Sequence, residues 1–165
     1  MPCYGTGRGV MPHGLSLYNT LDVPVLKIEL RQMFRANGLI DDVVVYGSPE
    51  DYVQFSGKVK EAIYLPAAVV LKTASPTCIE ISKGNESEDL FTSLQNESDE
   101  YFSMEDWNAR NILRVVGSEE VLSKLSDFLV DLSGRGKGYS YLSEFSDSCR
   151  YSGLSPEWRL HVQDT

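Results

Sequence analysis

Apolar positions along this chain come in two modes. Short runs alternate with a period of two, longer stretches recur with a period near 3.6, and the same order of modes appears twice. The run DDVVVY (41–46) is apolar and rich in β-branched residues, which predicts a buried strand. Behind it, Tyr52, Phe55, Val59 and Ala62 fall on one helical stripe. Seventy residues later, NILRVV (111–116) predicts a second strand, and Leu122, Leu125, Leu129 and Leu132 form a second stripe. Each member of the first stripe maps onto one of the second by the same offset. The joints match as well, because VVYGSPED (44–51) and RVVGSEEV (114–121) both carry Gly-Ser and then a Glu. Ser48 and Ser118 are placed as helix N-caps, Pro49 suits a first helical position, and Asp51 completes a capping box. Glu119 and Glu120 sit at the positive end of the second helix. In both joints the glycine is expected to turn the chain.

Two strands follow each helix. In the first copy they are AAVVLKTA (67–74) and TCIEIS (77–82), broken at Ser75-Pro76. In the second they are KGYSYLSEF (137–145) and EWRLHV (157–162), with a longer serine-rich connection that ends at Ser155-Pro156. Aligning the two Ser-Pro pairs sets Ile79 opposite Arg159, so one residue of slip is needed to keep Ile79 with Trp158 on the inward face. Ahead of the first copy, VLKIELRQMF (25–34) alternates Leu26, Ile28 and Leu30 with Lys27, Glu29 and Arg31, a half-exposed strand that Asn37-Gly38 turns back into the next. The expectation is an α+β fold: a tandem β-α-β-β repeat forming a mixed or antiparallel sheet, with two helices packed on one face and the strands flanking each helix parallel. Residues 1–24 read as a poorly structured leader. Residues 25–165 read as one domain made of a first unit (42–82), an acidic connector (83–109) and a second unit (110–163).

Charge narrows the partners. The net charge of −9 argues against nonspecific binding to nucleic acid or anionic membranes, and suits a basic protein partner. The excess is concentrated in NESEDLFTSLQNESDEYFSMEDW (85–107), which has eight acidic residues and no Lys or Arg. Leu90, Phe91, Leu94, Tyr101, Phe102, Met104 and Trp107 are interleaved with them, so a folded connector with one apolar side is expected there, or an acidic docking surface. Its spacing lacks the EF-hand pattern of a calcium loop. Cys3, Cys78 and Cys149 follow no metal or redox spacing and read as free thiols. With only His13 and His161 in the chain, no multi-histidine metal site is expected, and no cofactor is implied. The first twenty residues show no apolar core of a secretory signal, which makes the cytoplasm the expected compartment.

Candidate chemistry is sparse. Strand, Gly-Ser and helix start is a geometry that cradles phosphate on backbone N–H groups, yet neither copy has the glycine run or the lysine of a P-loop. SGRGKGYS (133–140) follows a helix, so Gly134 is expected to end that helix, with Arg135 and Lys137 at its negative end. On strand 157–162, alternation puts Trp158, Leu160 and Val162 on one face, and Glu157, Arg159 and His161 on the other. A catalytic reading pairs His161 with Glu144 or Asp147 and takes Ser140 or Cys149 as nucleophile, but no nucleophile-elbow motif accompanies it. A solvated strand face available to a partner is the reading preferred, and the chain is not expected to be an enzyme.

The second unit, with its strand, Gly-Ser-Glu-Glu, the helix VLSKLSDFLVDLS, then GYSYLSEF and SPEWRLHV, resembles the small immunity proteins of bacterial polymorphic toxin systems, nearest to the predicted immunity protein family 32. The resemblance covers about 110–163, and the first unit matches more loosely. That family often shows histidines in the first closing strand, where this chain has Tyr139 and Tyr141, and none of its binding residues carries over to a matching position. What the resemblance implies is a protein that binds a cognate antibacterial toxin and occludes its active site, with an acidic surface over a basic cleft such as a nuclease would have. The contacts expected are Glu97, Asp99, Glu100, Tyr101 and Phe102 in the connector, and Glu144, Asp147 and Arg159 around the long hairpin. The alternatives are a secretion adaptor or chaperone for an effector, and a small enzyme that uses His161.

Overall fold

The structure, a computed structural model, describes residues 26–35, 38–86, 89–96, 102–147 and 155–163. The first copy of the repeat is β2 (Gly38–Gly47), α1 (Pro49–Tyr64), β3 (Val69–Leu71) and β4 (Cys78–Lys83), preceded by β1 (Lys27–Arg35). The second is β6 (Ile112–Gly117), α3 (Glu119–Gly134), β7 (Gly138–Tyr141) and β8 (Glu157–Val162). The connector supplies β5 (Phe91–Gln95) and a short helix α2 (Met104–Asn108). The fold is α+β, and its strands divide between two four-stranded mixed sheets, β1-β2-β8-β7 and β3-β4-β6-β5, where one sheet was expected. No helix among the described residues is long and apolar enough to cross a membrane.

The helix starts form as the sequence dictates. Ser48 Oγ accepts from Asp51 N–H at 3.3 Å while the Asp51 carboxylate accepts from Ser48 N–H at 2.7 Å, a complete capping box. Ser118 caps α3 through Val121 N–H at 3.2 Å. Both stripes are buried, from Tyr52 and Val59 in α1 to Leu122 and Leu129 in α3. The glycine of each joint does not turn the chain, since neither has a positive φ. It leaves room: a Cβ on Gly47 would lie 2.6 Å from Leu26 Cδ2, and one on Gly117 would lie 3.0 Å from Val121 Cγ1 and 3.5 Å from Leu90 Cδ1.

The parallel pairs join the two copies to each other. The strands flanking each helix, expected to be parallel, lie in different sheets, and the parallel ladders are β2 with β8 and β4 with β6. Each copy therefore lends its closing hairpin to the other copy's sheet. Register makes the exchange regular: Val43 faces Trp158 and Val45 faces Leu160 in one sheet, and Leu113 faces Ile79 and Val115 faces Ile81 in the other. Ile79 and Trp158 thus occupy equivalent places, as the one-residue slip requires. β5 is the counterpart of β1, pairing antiparallel with β6 as β1 does with β2. The repeat is β-β-α-β-β, and the first half of the acidic connector belongs to it.

One hydrophobic cluster draws on both sheets and both long helices. Where α1 crosses α3, Ser56 and Ser126 meet Oγ to Oγ at 2.6 Å, and each hydroxyl also bonds the other's carbonyl, at 2.9 and 3.3 Å. These two residues are themselves equivalents, so the contact marks the local two-fold axis. The edges repeat the symmetry: Ile28 N–H donates to Ser75 Oγ at 3.1 Å, and Thr92 N–H donates to Ser155 Oγ at 2.9 Å. Two elements depart from expectation. The strand forecast over 137–145 stops at Tyr141 and gives way to a 3-10 helix, Leu142–Asp147, and only Val69–Leu71 of 67–74 is strand. Cys78 is disulfide-bonded, where a free thiol was expected. The other two cysteines, Cys3 and Cys149, lie outside the described residues, as does the leader.

Candidate protein-binding face

The alternation on β8 is as expected, with Trp158, Leu160 and Val162 buried and Glu157, Arg159 and His161 half-exposed on the other face. The parallel partner β2 and the antiparallel partner β7 set neighbours beside each outward residue. His161 lies between Tyr46 and Tyr139, and Arg159 between Val44 and Tyr141. Tyr46 stacks on the imidazole with ring centroids 4.9 Å apart, and Tyr139 lies against it at 5.3 Å. Tyr141 meets Tyr139 edge to face at 5.7 Å, and the Arg159 guanidinium sits 5.9 Å from the centre of the Tyr139 ring. Tyr139 is 58% exposed and Tyr141 38%. An open groove of about 350 Å³ runs past them, lined by Lys137, Gly138, Tyr139, His161, Val162 and Gln163.

Electrostatics on this face are uneven. Glu29 is held below the usual carboxylate range by its hydrogen bond to Arg31, at 3.1 Å, and takes a second from the Tyr46 hydroxyl at 3.4 Å. Glu157 is occupied by the N–H groups of Ser143 and Trp158, at 3.2 and 3.1 Å. Burial, reinforced by the positive charge of Arg159, pushes the pKa of His161 down from its ordinary value. Among the described residues, His161 Nε2 and Arg159 Nε are buried and have no hydrogen-bond partner, and Arg159 is in no ion pair, whereas Arg135 and Arg31 are.

The other expected residues fall elsewhere. Glu144 lies at the edge of β7, where it accepts from Tyr141 N–H at 3.1 Å and pairs with Arg135 at 3.3 Å. Arg135 in turn holds Asp131 and donates to Ser140 Oγ at 2.9 Å, a cluster at the C-terminal end of α3. Ser140 is buried and pairs in register with Leu160, so it points away from the His161 face. The triad of Ser140, His161 and Glu144 is therefore not assembled. Asp147 ends the 3-10 helix, and its side chain lies outside the described residues, as do Glu97, Asp99, Glu100 and Tyr101 entirely. Phe102 is 83% exposed, next to Met104 at 64%, and its N–H donates to Asp106 at 2.8 Å. In the connector, Leu90 and Leu94 reach the core while Phe91, Phe102 and Met104 do not.

The first Gly-Ser turn offers no anion cradle, since Ser48 and the Asp51 carboxylate already occupy it. Sequence reasoning singled out Arg159 and His161 but missed Tyr46. Its outward position was readable from the alternation of β2. Its place beside His161 depends on the exchange of hairpins, which no local pattern announces. No protein-family model, curated protein or solved structure matches this chain.

Proposed function

We propose that this protein is an immunity protein that binds a cognate antibacterial toxin and neutralises it by covering its active site. The observation that carries the reading is the outward face of β2, β8 and β7, where Tyr46, Tyr139, Tyr141 and Arg159 gather around His161. Tyrosine and arginine are among the residues that dominate binding energy at protein interfaces, and Tyr139 and Tyr141 leave much of their rings in solvent. The acidic connector, with Glu97, Asp99, Glu100, Tyr101 and Phe102, supplies long-range attraction for a basic cleft, as a nuclease toxin presents. Glu144 and Asp147 extend the contact beyond β7. The net charge of −9 favours a protein partner over nucleic acid or an anionic membrane.

Coexpression with the product of the adjacent reading frame tests this reading. The two chains are expected to copurify, and the cell to survive the toxin. Tyr139→Ala is expected to weaken the complex roughly thirtyfold or more, as an interface hot spot does. Failure to copurify together with no protection sinks the proposal. Capture of the partner without protection points instead to a secretion adaptor.

The cytoplasm remains the proposed compartment, and the Cys78 disulfide is its sharpest test, because structural disulfides persist in oxidising compartments and are rare in a reducing cytosol. Alkylation in denaturant added directly to the lysate, without reductant, reaches the buried Cys78 as well and is expected to modify all three cysteines if the cytoplasm is the working site. Modification of a single cysteine places the protein in an oxidising compartment.

A further inference from the structure

The outward face of β8 has buried polar atoms without partners. Among the described residues, His161 Nε2 and Arg159 Nε are buried with no hydrogen-bond partner and stand two residues apart on one strand, hence on one face. The other such atom, Arg114 Nε on the second sheet, has the Glu80 carboxylate 2.9 Å away, whereas Arg159 is in no ion pair among the described residues. A buried polar atom left without a partner costs about 1–3 kcal/mol, so a finished surface does not keep two side by side. The neighbouring acids do not serve them. Glu29 is taken by Arg31 and Tyr46, and Glu157 by the backbone N–H groups of Ser143 and Trp158. Among the described residues, Arg159 has the Tyr139 ring beside it and no carboxylate in an ion pair with its guanidinium.

From this we infer that the face takes an acidic segment of the partner protein, with one carboxylate lodged against Arg159 and His161 between the tyrosine rings. The inference rests on the reading of this face as the partner site. A carboxylate is the fitting group because it has only acceptors, two oxygens with several lone pairs, and a charge that Arg159 matches. It selects the imidazole tautomer that carries hydrogen on Nε2. Tyr139 is the most exposed ring of the group and lies against His161 and Tyr141, so an incoming carboxylate would meet it first. A polyanion such as nucleic acid is repelled by the net charge of −9. A single Asp or Glu on an otherwise basic or neutral protein surface is not. The partner is then read at two points of opposite sign: its basic region by the connector, and one acidic residue by this face.

The test uses the full chain, labelled with ¹⁵N, and a capped tripeptide of aspartate between two tyrosines. Side-chain NMR signals of Arg159 Nε and the His161 ring are expected to shift in a saturable way. The same peptide with asparagine in place of aspartate is expected to bind at least about tenfold more weakly. Arg159→Met, which keeps the aliphatic stem, is expected to abolish the difference between the two peptides, with an unchanged backbone spectrum showing that the fold is intact. Equal binding of the two peptides, or a difference that survives Arg159→Met, overturns the inference, and so does a response at Glu80 and Arg114 as large as that at Arg159. A chain that discriminates the peptides but neither captures nor resists a toxin overturns the immunity reading and leaves this one standing. Full protection by a chain that ignores the aspartate peptide does the reverse.

Discussion

The outward faces of the two sheets occupy equivalent places in a duplicated architecture and have diverged completely. Where one sheet has Tyr46 the other has Val116, and where one has His161 the other has Ser82. Arg159 corresponds to Glu80, Val44 to Arg114, and Tyr141 to Val70. On the second sheet the charges are settled internally: Arg114 pairs with Glu80 at 2.9 Å and also donates to Gln95. On the first, Arg159 stands in the place of the acid and Val44 in that of the base, so among the described residues the positive charge has no such partner. Inward positions behave differently, because Val43 and Leu113, Val45 and Val115, and Ile81 and Leu160 keep their apolar character. Packing constrains one side of each sheet, and the other side differs between the two copies.

One inward pair did change, and it changed together. Trp158 stands where the other copy has Ile79, and its indole N–H needs an acceptor in the core. Thr92, in place of the equivalent Ile28, supplies it at 3.2 Å. Trp158→Ala is expected to give the largest loss of all, about 3–5 kcal/mol by urea denaturation. Thr92→Val keeps the volume but strands the indole, at a cost of about 1–3 kcal/mol. A Thr92→Val variant as stable as the parent breaks the idea that the two substitutions are coupled.

How much of this was readable beforehand follows from the range of each signal. Caps, stripes and strand alternation are local, and Ser48, Asp51 and the helix stripes were placed from residue type and spacing alone. The sheet partners were not, because pairing across copies depends on which strand edge a hairpin meets after the helices dock at Ser56 and Ser126. β5 was hidden by its charge surroundings. Its Leu90, Thr92 and Leu94 repeat the spacing of Leu26, Ile28 and Leu30, but the acidic residues on either side made the segment look like an insert. KGYSYLSEF was read as one strand although its alternation breaks at Tyr141-Leu142, the place where the strand ends. Glu144 instead caps Tyr141 N–H and the chain coils into a 3-10 turn. The face around His161 combines both limits, since its members lie on three strands brought together only by the exchange.

The outward faces offer a smaller and sharper contrast. The Glu80–Arg114 pair is about two-thirds shielded from solvent on both sides, and Glu80→Gln is expected to cost up to about 1 kcal/mol. Arg159→Met removes a buried donor that satisfies nothing, at the loss of an exposed cation–π contact worth about 0.5–1 kcal/mol. The free chain is therefore expected to lose no stability, and to gain up to about 1 kcal/mol. Matched denaturation curves decide it. If Arg159→Met destabilises the free protein more than Glu80→Gln does, Arg159 holds the fold and the contrast between the faces fails.

The smallest effect lies in pH. Burial and the charge of Arg159 lower the pKa of His161 in the folded chain, so around pH 6.5 the unfolded chain binds more protons at this residue than the folded one. Stability is then expected to fall as pH drops below about 6.5, until the folded-state imidazole itself protonates, and to be unaffected by His161 above that point. NMR titration of the ring should give a midpoint below 6.5. His161→Ser, which installs the residue of the other copy, should flatten this part of the stability profile, where carboxylates do not yet titrate. A midpoint at or above 6.5 in the free chain means that an acid already faces the ring, and the open donor that separates the two faces does not exist. A midpoint that starts below 6.5 and climbs when the aspartate peptide is added means that the missing acid comes from outside.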